Sequence, residues 1–471
     1  MSVQSVAALP DHRPDRVTGA RVARLKECIA AADDAQRAHI AEEFWQEAAT
    51  RGTPFVEELD GEPDHRAVTF LWRGHRATRQ VLLMVSHLGD RAHLAGSLME
   101  RIPGTGIWHF GLRLRADHRA SYRIAADVSA KEPPEDPEVL QARLRSLAVH
   151  AAHDPLNPRR LPTRWGAGDN SVFALPEAPA PAWTERRGAV PEGRVERHSI
   201  GAAALGGDPD VRNERDVWVY LPPASRGDTE HPGPRGDTER LPVLVLCDGD
   251  MWFGRVGLQH TLDALVADGL LPPLAVLAPD AVDRHTRNRE LGARDPFVEF
   301  LADELLPWAA GRWPLATDPA RTVVAGQSLG GLAALHAGRL RPDRFGHVVA
   351  QSPSLWWRPT LAPGVVQKHI IGVPWLAARY AETDPAPITV HLDAGLHEGT
   401  MVDHCRALYD TLHSARYEVT RNEFNGGHDY ACWHVALVDA LIRVLGPVPP
   451  RAPLRFPPLP PPRITSLISL S

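Results

Sequence analysis

The sequence predicts two bodies in tandem: an N-terminal β-sandwich, then a mostly parallel α/β sheet covered by helices on both faces. Three observations carry this. Between residues 53 and 128, short apolar runs alternate at period two and are punctuated by Gly74, Gly89, Gly104 and Gly106, the spacing of a small sandwich. From 242 to 446, short buried-strand patterns alternate with helix-length stretches, which argues for a parallel sheet buried on both sides. Between them in importance stands RTVVAGQSLGGLAALHAGRL, residues 321–340. It reads as strand, tight turn and helix, with Gly326-Gln327-Ser328-Leu329-Gly330 fitting G-x-S-x-G, the signature of an α/β-hydrolase nucleophile turn.

Taken in order, residues 1–18 contain Pro10, Pro14 and many polar side chains and are expected to be disordered. Residues 19–50 carry helical periodicity through Val22, Leu25, Ile29, Ile40, Phe44 and Trp45, and Gly52-Thr53-Pro54 ends it. Strands are expected at 67–72, 81–85, 108–114 and 122–126. Residues 129–190 are Pro-rich and read as irregular. The first domain is placed at 19–172, a linker at 173–193 and the second domain at 194–446. Its strands are expected at 217–221, 242–246, 274–277, 322–325, 347–350, 388–392 and 418–423. Helices are expected at 297–308, 401–412 and 433–445. Arg-Gly-Asp-Thr-Glu occurs at 226–230 and again at 235–239, and 224–240 reads as a duplicated surface loop. Residues 447–471 form a Pro-rich tail.

Composition narrows the function. The net charge is −6 and the pI about 6.4, so no bulk basic field points to nucleic acid. Lys26, Lys131 and Lys368 are the three lysines among 52 basic residues; arginine supplies the rest, with its planar fork for anions. Cys28, Cys247, Cys405 and Cys432 lie far apart and match no metal-binding spacing. Free thiols in a reducing compartment are expected. The start of the chain has no signal-like apolar core, and no apolar run reaches membrane-spanning length. A cytoplasmic protein without membrane partner or cofactor is expected.

A serine is a weak nucleophile until a base takes its proton, and that base must be held in one tautomer. With Ser328 as nucleophile, the chain order serine, acid, histidine points to His428, in the glycine turn Asn425-Gly426-Gly427-His428-Asp429 before the last helix. The acid is expected after the preceding strand, at Glu398, with Asp393 at the strand end as the alternative and Asp403 a further one. The Leu329 N–H opens the helix after the serine and suits an oxyanion. The second donor is expected from the Gly249 or Asp250 amide, in the loop after the early strand.

These motifs together resemble the enterochelin (ferric enterobactin) esterases. The resemblance rests on Leu246-Cys-Asp-Gly-Asp-Met-Trp-Phe253, Gly326-Gln-Ser-Leu-Gly-Gly331, Gln351-Ser-Pro-Ser-Leu-Trp-Trp357, Leu392-Asp-Ala-Gly395 with Glu398, and Gly426-Gly-His-Asp-Tyr-Ala-Cys-Trp433. In the first body it rests on Thr53-Pro54, Val68-Thr-Phe-Leu-Trp-Arg73, Gly104-Thr105 with Trp108, Ser121-Tyr122 and Asp154-Pro-Leu-Asn-Pro158. It covers about residues 20–445. The resemblance implies an Ig-like sandwich ahead of the hydrolase, and hydrolysis of the trilactone esters of a ferric catecholate siderophore in the cytoplasm. Such a substrate is anionic and aromatic, so Trp252, Arg255, Arg287, Arg289, Trp356 and Trp357 are candidates to receive it. The alternatives are a feruloyl- or acetyl-type carboxylesterase, and a siderophore-binding protein without catalysis.

Overall fold

The computed structural model describes residues 14–166, 168–179, 183, 186–206, 214–223, 240–360 and 373–446. The Pro-rich tail, residues 1–13 and nearly all of the duplicated loop fall outside that set.

The N-terminal body opens with two helices, α1 (Ala20–Ala31) and α2 (Asp34–Arg51). The sequence pattern ran them together. The break comes at Asp33, whose side chain accepts from the Gln36 N–H while Gln36 bonds back to the Asp33 N–H, a reciprocal cap that starts a new helix. The strands that follow are β1 (Phe55–Glu58), β2 (His65–Arg73), β3 (Gln80–Val85), β4 (Glu100–Arg101), β5 (Ile107–Arg115), β6 (Arg119–Asp127), β7 (Arg160–Pro162) and β8 (Asp169–Ala174). They form two antiparallel sheets, ordered β1-β2-β5-β4 and β3-β6-β8-β7. Val68, Phe70, Phe110 and Leu112 from one meet Val81, Leu83, Tyr122, Ile124 and Phe173 from the other. Period-two alternation puts these side chains on one face of each strand, which is why the pattern was readable. Phe70 and Tyr122 pack edge-on across the gap at 4.8 Å.

This body differs from the sequence reading in several places, among them the unexpected strands β1, β7 and β8. Residues 15–17 run beside β5, with the Val17 N–H donating to the Gly111 carbonyl and the Arg113 N–H to that of Asp15. The stretch read as irregular contains α3 (Pro137–Ala148), capped by Asp136 with Pro at its first turn. Of its side chains only Leu144 is fully buried, so its apolar stripe was too thin to register. The Asp154–Pro158 loop is pinned: Asp154 accepts from Thr53 Oγ1 (2.6 Å) and Tyr122 Oη (2.8 Å).

The second body is built on one eight-stranded sheet, comprising β9 (Arg194–Gly201), β10 (Glu214–Leu221), β11 (Val243–Leu246), β12 (Ala275–Pro279), β13 (Thr322–Gln327), β14 (His347–Gln351), β15 (Thr389–Gly395) and β16 (Glu418–Phe424). Their spatial order is β16-β15-β14-β13-β11-β12-β10-β9. Strands β11 to β16 pair in parallel; β10 is antiparallel to both β12 and β9. Successive residues serve opposite faces: Val245, Val324 and Val348 enter one core, Leu244, Val323 and Val349 the other. The helices are α4 (Gly249–Met251), α5 (Leu258–Ala267), α6 (Arg284–Glu290), α7 (Asp295–Glu299), α8 (Leu306–Ala310), α9 (Leu329–Leu340), α10 (Trp375–Ala381), α11 (Thr400–Ser414) and α12 (Tyr430–Leu445). Helices α5 and α12 cover one face, α9 and α11 the other. In such a sheet ligands meet the loops at the carboxyl ends of the strands. Residues 248–250, Ser328, Glu398 and His428 all lie just beyond such ends, after β11, β13, β15 and β16.

Candidate active site

Ser328 sits between β13 and α9 at φ 59° and ψ −120°. A side chain is strained there, so the neighbourhood must enforce it. The Ser328 N–H donates to the Gln351 carbonyl (2.9 Å), and the Ser328 carbonyl accepts from the N–H groups of Ser354 (3.0 Å) and Leu332 (3.1 Å). A Cβ at Gly326 would collide with the Gly330 backbone, so the turn needs a glycine at that position. Ser328 Oγ is hydrogen-bonded to Ser354 Oγ at 3.2 Å. Among the described residues it makes no hydrogen bond to the His428 ring; such contacts often tighten only when substrate binds. Leu329 is the first residue of α9, so its N–H has no acceptor within the helix.

His428 Nδ1 lies 2.9 Å from Glu398 Oε2. The Glu398 side chain is wholly buried. Its other oxygen accepts from Ser352 Oγ (2.6 Å) and the Gly395 N–H (2.8 Å). Burial alone would raise the pKa of this carboxyl, but His428 and the Ser352 hydroxyl outweigh burial and hold it below the usual range. Asp393 is equally buried but lies within β15, where Asn422 Nδ2 (3.0 Å) and Gln351 Nε2 (3.4 Å) donate to it. Asp403 is exposed and paired with Arg406. The structure therefore brings Glu398 to the imidazole, and neither Asp393 nor Asp403. The Trp433 ring stands edge-on to His428 at 4.6 Å, and its Nε1–H donates to Ser352 Oγ.

The loop after β11 turns at Asp248, in the left-handed region (φ 70°, ψ 47°). A Cβ at Gly249 would strike the Ala278 carbonyl, so the chain passes here only as glycine. The buried Asp248 carboxylate receives Arg287 through Nε and Nη2 (both 2.8 Å), Gln327 Nε2 (2.7 Å) and Arg164 Nη2 (2.8 Å). Burial works against its charge, and Arg164 with Arg287 overcomes it, so the group stays below the usual carboxylate range. Asp250 is pushed the other way by burial, despite Arg164.

The candidates for substrate contact are not brought together. Arg287 is committed to Asp248. Trp252 is fully buried, edge-on to Tyr430 at 5.3 Å, with its Nε1–H on Gln327 Oε1. Trp356 lies in the apolar core on the face of the sheet that α9 and α11 cover. These three side chains are buried, and adjacency to a motif does not say toward which side of a turn a side chain points. Trp357 is half-buried and packs edge-on to Trp375 at 5.3 Å. Arg255 is exposed, with Nη1 donating to the Thr163 carbonyl (2.6 Å), and Arg289 is half-buried on α6.

Four neighbours of the site were not singled out from sequence. Ser352 and Tyr430 flank the predicted residues and could have been found from their places at a strand end and a helix start. Arg164 and His87 come from the N-terminal body, and no local pattern points to them. His87, at φ 59° just after β3, lies with its ring 5.8 Å from that of His428. The two bodies also share hydrogen bonds from the Ser121 N–H to Asp429 Oδ2 (2.8 Å) and from the Arg119 N–H to the Asn425 carbonyl (3.1 Å). Among the described residues no cluster of His, Cys, Asp or Glu is placed to hold a metal ion, and no helix is long and apolar enough to cross a membrane. All four cysteines are free.

Known proteins match both bodies. Residues 67–184 match the family model "Enterochelin esterase, N-terminal", and residues 210–444 the model "Putative esterase". The chain is 32% identical over 409 residues to the iron(III) salmochelin esterase of Escherichia coli O6:H1, covering 86% of this chain and 94% of that one. It is 32% identical over 441 residues to the iron(III) enterobactin esterase of Dickeya dadantii, covering 88% and 95%. A crystal structure of the enterobactin esterase of Shigella flexneri, obtained in the presence of enterobactin, superposes with a TM-score of 0.69 at 29% identity, over 86% of this chain and 97% of that one. With relatives this similar along nearly their whole length, the chain belongs to the enterochelin (enterobactin) esterase family and is a carboxylic ester hydrolase.

Proposed function

We propose that this enzyme hydrolyses the trilactone esters of a ferric catecholate siderophore, with Ser328, His428 and Glu398 as its catalytic set. The observation that carries the assignment is the 2.9 Å contact between Glu398 and His428 Nδ1, beyond the ends of β15 and β16 at the same edge of the sheet as the Ser328 turn. Glu398 holds Nδ1–H as a donor, which leaves Nε2 with a lone pair to accept the Ser328 proton. Ser328 Oγ attacks a lactone carbonyl. The N–H of Leu329 and that of Gly249 or Asp250 receive the oxyanion, the ester C–O bond breaks, and His428 returns its proton to the leaving alkoxide. Water, activated by the same imidazole, then releases the acyl group.

The relatives named for enterobactin and salmochelin support the substrate class. Arg255, Arg289 and Trp357 are the side chains proposed to meet it; iron enters with the substrate. The paired four-stranded sheets favour an Ig-like sandwich for the first body, with the domains at 19–172 and 194–446 joined through 173–193. Four free thiols are in keeping with a cytoplasmic site of action.

The test is chromatographic product analysis with ferric enterobactin for the wild type and Ser328→Ala side by side. Linear trimer, dimer or monomer from the wild type alone is the expected result. Equal binding by both proteins without products would make the chain a siderophore binder. Cleavage of p-nitrophenyl esters but not of enterobactin would keep the esterase and reject the substrate.

A further inference from the structure

The two carboxylates on either side of Gly249 pose an electrostatic problem. An oxyanion forming beside the Gly249 and Asp250 amides would be repelled by any uncompensated negative charge there, because interactions in a site shielded from water are strong. Arg287 already gives Asp248 a bidentate partner. Asp250 is met instead by Arg164 Nη2 (3.2 Å to Oδ1) and by the Ala281 N–H (3.1 Å).

Arg164 comes from the other body, two residues beyond β7, and its side chain is only 11% exposed. Its Nη2 bridges Asp248 (2.8 Å) and Asp250, and Nη1 donates to Tyr430 Oη (2.7 Å). Tyr430 Oη also accepts from Gln327 Nε2 (2.8 Å). One guanidinium thus reaches the loop after β11, the residue before Ser328 through Tyr430, and the helix after His428. A strut runs the opposite way, from Arg255 Nη1 to the Thr163 carbonyl. Within this cluster two arginines balance two aspartates.

We propose that Arg164 is a positioning residue for ester hydrolysis, supplied by the N-terminal body: it braces Asp248 and neutralises Asp250, so that the amides between them face the oxyanion without an opposing charge. The proposal rests on reading residues 248–250 as the oxyanion loop of a serine esterase. It makes the N-terminal body part of the chemical step in addition to any role in shaping the substrate site.

The test uses the full chain and a p-nitrophenyl ester, with ferric enterobactin run in parallel. Arg164→Met keeps the apolar stem and removes the charge. We expect kcat to fall ~10–100-fold, less than the ~10²–10³-fold that loss of a direct oxyanion donor costs, with KM changed less than about 3-fold. The decisive comparison is the same substitution in an Asp250→Asn background, where no carboxylate needs neutralising and the loss should shrink to about 3-fold or less. Arg164→Lys, which keeps the charge but not the fork, should fall between. Equal losses from Arg164→Met in both backgrounds would overturn the proposal, as would a change in KM alone. Should Arg164→Met fail to fold, Arg164→Lys is carried through the same two backgrounds and judged by the same criterion. A wild type that cleaves the p-nitrophenyl ester but spares ferric enterobactin rejects the siderophore reading and leaves this comparison intact.

Discussion

Glu398 shows how much a single carboxylate depends on its surroundings. It is buried without a water-facing oxygen, yet three donors keep it charged. Replacing it by glutamine removes the charge that fixes the His428 tautomer. We expect Glu398→Gln to lower kcat by ~10²–10⁴-fold with little change in KM. Asp393→Asn is the comparison, because that carboxylate serves Asn422 and Gln351; its cost should be read in the melting temperature. A collapse of kcat in Asp393→Asn and not in Glu398→Gln would reverse the assignment. The sequence ranked these two acids by position alone, since a residue at a strand end faces inward or outward according to a pleat register that no short motif reports. Ser328 and His428 were legible because a G-x-S-x-G turn and a glycine loop before a final helix fix backbone geometry locally. Arg164 was not, because its partners lie more than 80 residues away in the chain.

At the scale of elements, the loop carrying His428 is bolted to β6 of the other body. His118 Nδ1 and His397 Nε2 both approach Asn425 Oδ1, at 3.0 and 2.9 Å, just before that loop. Burial, reinforced by His397, pushes the His118 pKa down to about 3. His118 is therefore neutral in the folded protein across ordinary pH. In the unfolded chain it titrates near 6.5, so the unfolded state takes up the proton first as pH falls. Its contribution to stability is whole above about pH 6.5 and is lost as pH falls toward about 3. Urea midpoints should decline over that window, and His118→Gln should flatten the decline; an unchanged pH slope in that variant would reject the assignment. The elements that sequence located best were the alternating strands. Among those it missed, α3 lacked a broad apolar stripe and the break at Asp33 turned on one capping side chain, while α5 was passed over despite its apolar face.

Across the whole molecule, the two bodies share buried polar partners at Ser121–Asp429, Arg119–Asn425 and Arg164–Asp248. Separating them would exchange those bonds for bonds to water, at a net ~0.5–1.5 kcal/mol each and more where a charged group takes part. We expect one cooperative urea transition, with far-ultraviolet dichroism and tryptophan fluorescence coinciding. Two resolved transitions would show bodies that unfold independently. The fold class was legible because it needs only periodicity and element order. The joint between the bodies was not, because it is made by single side chains drawn from distant loops.

The indole of Trp433, edge-on to His428 at 4.6 Å, gives the site an optical reporter of its own. A protonated imidazole in contact with an indole quenches its emission, whereas a neutral one does so weakly. Subtracting the pH titration of a Trp433→Phe variant from that of the wild type isolates this one fluorophore from the other twelve tryptophans of the chain. The charge state of the histidine could then be followed in the resting enzyme, with no substrate present, and any ligand that displaces or shields the ring would announce its arrival as a change in brightness.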